Sequence, residues 1–146
     1  MNVYLDTSAL VKRYIEEGHS AQTIALIHGA TIRATSLLAR AEVPAAIAQA
    51  SRVGTVNRLE GIDATNLFAA HWASYTRIAI GEGLVRSAAG LAWQRALRGY
   101  DAVHLAAALL LRSQMDEAVT FATFDRPLWR AARDEGLDAW PPHYGD

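Results

Sequence analysis

The chain has no cysteine. That excludes disulfides, thiolate nucleophiles and cysteine-ligated zinc, and it fits a reducing compartment, so a cytoplasmic location is the expectation. Lysine is nearly absent as well. Lys12 stands alone among 14 basic residues, and the others are arginine. No apolar run is long: Leu105 to Leu111 is the longest, far too short to span a bilayer, so no membrane association is expected. The N-terminus carries neither a basic region nor an apolar core of the kind a secretory signal needs. Repeats, linkers and low-complexity segments are missing. The histidines are scattered without zinc-ligand spacing. A net charge of −1 argues against a protein that coats DNA by bulk charge, while leaving room for a local basic groove.

What is present fits one domain over residues 1–146. A 51% hydrophobic and 20% charged composition is that of a globular chain with a real core. The arginine bias, together with heavy alanine usage, suits a GC-rich coding sequence. Arginine also suits bidentate phosphate contacts.

Val3-Tyr4-Leu5 reads as a short buried strand, and Asp6-Thr7-Ser8 has the composition of a helix start, with a helix from Ala9 to Glu16. Ala21 to His28 is a second helix, ended at Gly29. Thr31 to Thr35 is a second strand. Ser36 is placed to cap a long helix from Leu37 to about Arg52, which Pro44 should kink or rob of an internal hydrogen bond. Thr55 to Ser74 is helical. Thr76 to Ile80 is a third strand, with Gly81 and Gly83 in the turn after it. Leu84 to Leu97 is helical, and Asp101 opens an apolar helix to about Arg112. Ala118 to Phe124 is a fourth strand, Leu128 to Glu135 a last helix, and Leu137 to Trp140 an edge strand. Strands alternating with helices imply an α/β fold with a mainly parallel sheet covered on both faces.

On that outline Asp6 ends the first strand, Glu42 lies early in the helix after the second, Asp101 begins the apolar helix and Asp125 follows the fourth strand. In a parallel sheet these positions can converge on one edge, where such folds bind ligands. Each acid also has a plainer reading. Asp6 and Asp125 suit helix caps, Asp101 suits the positive end of a helix dipole, and Glu42 is a lone acid on a small, apolar helix. Asp116 and Glu117 read as a solvated loop pair. If the four acids do meet, their mutual repulsion calls for a neutralising cation, and a hard divalent ion with oxygen ligands is the natural choice.

The stretches Asp6-Thr7-Ser8-Ala9-Leu10, Ala41-Glu42-Val43, Tyr100-Asp101-Ala102-Val103-His104-Leu105-Ala106 and Thr123-Phe124-Asp125-Arg126 resemble, in order and over nearly the whole chain, the PIN-domain ribonucleases. The likeness is greatest to the VapC toxins of toxin–antitoxin pairs. The resemblance implies a three-layer α/β/α fold and an endoribonuclease dependent on Mg²⁺ or Mn²⁺. By match, Asp6 and Asp101 are the principal metal ligands, Glu42 completes the acidic site directly or through water, and Asp125 is the fourth acid. Ser8 matches a polar residue that supports the first aspartate. His104, one turn after Asp101, is placed either to hydrogen-bond near the site or to pack between helices. The resemblance further implies an RNA substrate, an inhibitory antitoxin partner and a homodimer. Arg13, Arg40 and Arg126, close to the acidic motifs in sequence, are candidates for holding phosphates. Other readings of the same pattern are a silent binding module of this fold, a metal-dependent DNA nuclease and a phosphatase.

Overall fold

The computed structural model describes residues 1–144. Five strands form the sheet: β1 (Asn2–Leu5), β2 (Ile32–Ser36), β3 (Thr76–Ile78), β4 (Val119–Ala122) and β5 (Asp138–Trp140). Their order is β3-β2-β1-β4-β5 and every pairing is parallel. The helices are α1 (Thr7–Tyr14), α2 (Ser20–Gly29), α3 (Ala39–Arg52), α4 (Arg58–His71), α5 (Glu82–Arg95), α6 (Gly99–Met115) and α7 (Arg126–Asp134).

The alternation along β1 divides the apolar residues into two layers. Tyr4 points into one with Ala34, Phe121 and the inner faces of α5, α6 and α7. Val3 and Leu5 point into the other with α1, α2, α3 and α4. This is the expected α/β/α sandwich. Being covered on both faces, β1 is buried at every residue, and its sequence is a continuous run rather than an alternating one. The apolar helix expected from Asp101 is α6, with eight buried residues from Asp101 to Leu111.

The differences from the sequence reading lie at element ends. The helix expected from Thr55 starts only at Arg58, behind a capping box: Asn57 accepts from the Glu60 amide while the Glu60 carboxylate accepts from the Asn57 amide. Gly83 lies inside the first turn of α5, not in the preceding loop. Asp101 sits within the first turn of α6, which begins at Gly99 and runs on to Met115. Ser36 accepts from the Leu38 amide in a turn before α3 rather than capping the helix itself. The helix α3 is continuous through Pro44, whose ring has no N–H to offer the Arg40 carbonyl. Glu117 is not simply solvated, since it accepts a 2.8 Å hydrogen bond from Asn2.

Candidate active site

In the strand order, β1 connects to β2 on one side and has β4 on the other, so the sheet's switch point lies at the carboxyl ends of β1 and β4. Chains leave that edge in opposite directions and leave a crevice between them. Asp6 follows β1 and Thr123-Phe124-Asp125 follows β4. The starts of α3 and α6 bring up Glu42 and Asp101. All four acids line one cleft of about 370 Å³, with Thr7, Ser8, Lys12, Arg98, Tyr100 and His104 among its other walls. Two larger hollows, between α5 and α6 and between α3 and α4, have no acid among their lining residues, and a third, of about 410 Å³ between α5 and α7, has one, Asp134.

Asp6 is both a cap and a cleft residue. Its Oδ1 accepts from the Ala9 amide at 2.9 Å and from Ser8 Oγ at 2.7 Å, and its Oδ2 accepts from Thr123 Oγ1 at 2.6 Å. Ser8 Oγ accepts from the Phe124 amide and Thr123 Oγ1 from the Asp125 amide. The two hydroxyls therefore bind the β1–α1 turn to the β4–α7 turn through one carboxylate. Asp6 is only 4% exposed, and burial pushes its carboxyl above the ordinary range, more than nearby His104 and the hydrogen bonds from Thr123, Ser8 and Ala9 draw it down.

Glu42 is held differently. Its Oε1 accepts from His104 Nε2 at 2.6 Å and from Thr7 Oγ1 at 2.7 Å. His104 is 2% exposed, and its other ring nitrogen, Nδ1, lies 2.8 Å from the hydroxyl of fully buried Tyr4. With Tyr4 donating to Nδ1, the ring proton sits on Nε2 and points at the glutamate. Burial pushes the Glu42 carboxyl up, but the hydrogen bonds from His104 and Thr7, with the electrostatic pull of His104, more than offset it, leaving the group below its ordinary range.

Asp101 and Asp125 share a cation. Arg98 Nε donates to Asp101 Oδ2 at 3.0 Å, and its Nη2 donates to Asp125 Oδ2 at 3.1 Å. Burial raises the Asp101 carboxyl, the Arg98 hydrogen bond lowers it and neighbouring Asp125 raises it again; the net direction is upward. Asp125 also caps α7 through the Leu128 amide at 3.0 Å. The cap readings of Asp6 and Asp125 and the cleft reading thus hold together: each caps its helix with Oδ1, and Oδ2 is bonded across the cleft instead.

Among the described residues, no three acidic or histidine side chains are grouped as a ready cation cage. The donor set nonetheless suits a hard divalent ion. It is built of carboxylate and hydroxyl oxygens without sulfur, two of its acids are raised by burial, and a guanidinium already stands in as the cation between Asp101 and Asp125.

Sequence reasoning missed Thr7, Thr123, Tyr4 and Arg98. Arg98 stands just before α6 in extended backbone, three residues ahead of Asp101, where its place in a loop gave no sign of the pairing. Thr123 stands in the same short motif as Asp125, whose charge makes it the more conspicuous of the two. Arg13, Arg40 and Arg126 are not among the residues lining the cleft. Arg13 donates to the Tyr75 hydroxyl, Arg40 lies against Phe68 and Trp72, and Arg126 against Tyr144. The cations at the cleft are Arg98 and Lys12, the latter paired with Glu17 and 4.3 Å from the centre of the Phe124 ring.

A sheet of this order with acids gathered at its switch point defines a class, and the PIN-domain family model matches residues 3–134. Ribonuclease VapC45 of Mycobacterium tuberculosis is 36% identical over 139 residues, covering 95% of this chain and 94% of that protein. Among solved structures, a toxin–antitoxin complex from Klebsiella pneumoniae matches with a TM-score of 0.65 at 18% identity, over 97% of this chain and 98% of the other. The VapBC2 structure from Rickettsia felis, bound to a promoter DNA fragment, matches with a TM-score of 0.64 at 13% identity, over 96% and 99%. The chain belongs to the PIN-domain family, among its VapC-type ribonucleases.

Proposed function

We propose that the chain is the toxin of a toxin–antitoxin pair, a Mg²⁺- or Mn²⁺-dependent endoribonuclease that hydrolyses RNA phosphodiesters at the cleft of Asp6, Glu42, Asp101 and Asp125. The observation that carries the reading is the convergence of these four acids, from four separate segments, on one cleft at the sheet's switch point. Asp6 and Asp101 are the principal metal ligands, with Glu42 and Asp125 completing the set. A bound divalent ion supplies Lewis-acid stabilisation of charge on the phosphate and activation of a water. The chain's own groups do the remainder. Ser8 and Thr123 fix the Asp6 carboxylate, and His104 and Thr7 keep Glu42 ionised and aimed.

Kinship with a mycobacterial ribonuclease supports RNA as substrate, and likeness to a chain of the Klebsiella toxin–antitoxin complex supports an antitoxin partner. A homodimer is supported by apolar side chains left exposed, among them Leu59 and Leu67 on α4 and Trp93 on α5. A single sheet covered on both faces supports one domain over residues 1–146. Among the described residues no helix is long and apolar enough to cross a membrane, and the lack of cysteine agrees with a cytoplasmic location.

The test is cleavage of single-stranded RNA, DNA and a small phosphate ester by metal-stripped protein with Mg²⁺ or Mn²⁺ restored. Cleavage confined to RNA, dependent on metal and lost in a folded Asp101→Asn variant, is expected. Equal cleavage by that variant overturns the reading. Hydrolysis of DNA or the ester alone reassigns the substrate. Binding of RNA without any cleavage indicates the silent module.

A further inference from the structure

Arg98 lies on the short connection between α5 and α6, just after Ala96 closes α5 in the left-handed conformation at φ 53°. Its side chain is 63% exposed, whereas those of Asp101 and Asp125 are 11% and 24% exposed. A cation standing mostly in solvent therefore reaches over the rim onto two sheltered acids, and its guanidinium also packs on the Tyr100 ring at 4.9 Å. Two carboxylates close enough to be bonded by one guanidinium, at 3.0 and 3.1 Å, repel each other unless a positive charge stands between them. An exposed arginine provides it only weakly, because solvent screens the pair. The same guanidinium has a fork of N–H donors that matches phosphate oxygens as well as carboxylate oxygens.

We propose that Arg98 is an exchangeable counter-ion. It neutralises Asp101 and Asp125 until a divalent cation binds to those acids, and it is then released to hold a phosphate of the RNA strand. The inference rests on the metal-dependent nuclease reading above. It assigns one arginine two alternative partners, neither of which it holds firmly. While paired, Arg98 takes up acceptor oxygens and places a positive charge where a second cation must approach, so it lowers metal affinity. Once released, it stands at the mouth of the same cleft, one residue from Gly99 and within reach of an entering strand.

The experiment uses the metal-stripped full chain in three forms: native, Arg98→Gln and Arg98→Lys, each checked for folding by circular dichroism. Mn²⁺ affinity is measured by calorimetry without RNA. Arg98→Gln is expected to bind Mn²⁺ roughly three- to tenfold more tightly than the native chain, with Arg98→Lys in between. Binding of a short single-stranded RNA is then measured by fluorescence anisotropy, with Ca²⁺ present or with chelator. Arg98→Gln should weaken RNA binding severalfold with the ion present and leave it unchanged in chelator. Equal or weaker Mn²⁺ binding by Arg98→Gln overturns the exchange, as does RNA binding unaltered by the substitution when the ion is present. A native chain with no Mn²⁺ binding that Asp101→Asn removes overturns the metal reading itself, a different failure from the first two.

Discussion

At one end of the cleft Glu42 receives donors from His104 and Thr7, and His104 is in turn held by the buried Tyr4 hydroxyl. At the other end Asp101 lies beside Asp125, with an exposed arginine between them. Folding therefore lowers the Glu42 carboxyl and raises that of Asp101. One end is built to be stable as it stands, and the other is left short of positive charge. A protein that must take up a divalent ion needs the second kind of site, because a carboxylate pair already satisfied by the fold gains little from a metal. The first kind holds a group in place before anything arrives.

The largest effect expected from breaking this contrast is on cleavage. Asp6→Asn and Asp101→Asn remove a proposed ligand each, and metal-dependent RNA hydrolysis should fall on the order of 10³-fold or more, with the circular dichroism spectrum unchanged. Removing the support at the Glu42 end should do less. His104→Leu leaves the buried Tyr4 hydroxyl without its ring partner and Glu42 without its shortest donor. Cleavage should drop about 10- to 100-fold, as when a group that orients a ligand is lost. Chemical denaturation should show a stability loss of about 1–3 kcal/mol. His104→Gln, which restores a donor, should recover part of the activity; no recovery together with native stability would mean the ring only packs.

The smallest effect is thermal and opposite at the two ends. Without metal, the raised Asp101 carboxyl weakens the fold as pH rises from the ordinary carboxylate range through its folded-state value. The lowered Glu42 carboxyl strengthens the fold above its ordinary range, and that gain is lost as pH falls through its folded-state value. At neutral pH in chelator, Asp101→Asn should melt at or above the native temperature, and Glu42→Gln roughly 2–4 °C below it. The Asp101→Asn difference should close as pH falls below the ordinary carboxylate range, where the native carboxyl is protonated in both states. Both variants moving the same way in differential scanning calorimetry would erase the distinction between the two ends.

The sandwich and the edge on which the acids meet were legible because β-branched and aromatic runs alternate with capped helical stretches. Asp6 was legible because a polar residue closes an apolar run at a helix start. What one carboxylate is tied to was not legible, because those ties cross the chain. Tyr4 meets His104 across 100 residues, and Thr123 meets Asp6 across 117. Nothing local marks Tyr4 as more than a buried strand residue. The start of α4 differs from expectation for a local reason: the capping box of Asn57 and Glu60 delays it beyond Thr55. Arg13, Arg40 and Arg126 are close to the acidic motifs in sequence but do not line the cleft. They pack against aromatic rings, whereas Arg98 reaches both Asp101 and Asp125.

Crystals of the native chain soaked in Mn²⁺ and measured near the manganese absorption edge test the four-acid pocket most directly. An anomalous peak within about 2.0–2.5 Å of carboxylate oxygens from both Asp6 and Asp101 is the expected result. A protein that cleaves RNA with Mn²⁺ while its manganese sits elsewhere, or contacts neither aspartate, would contradict it.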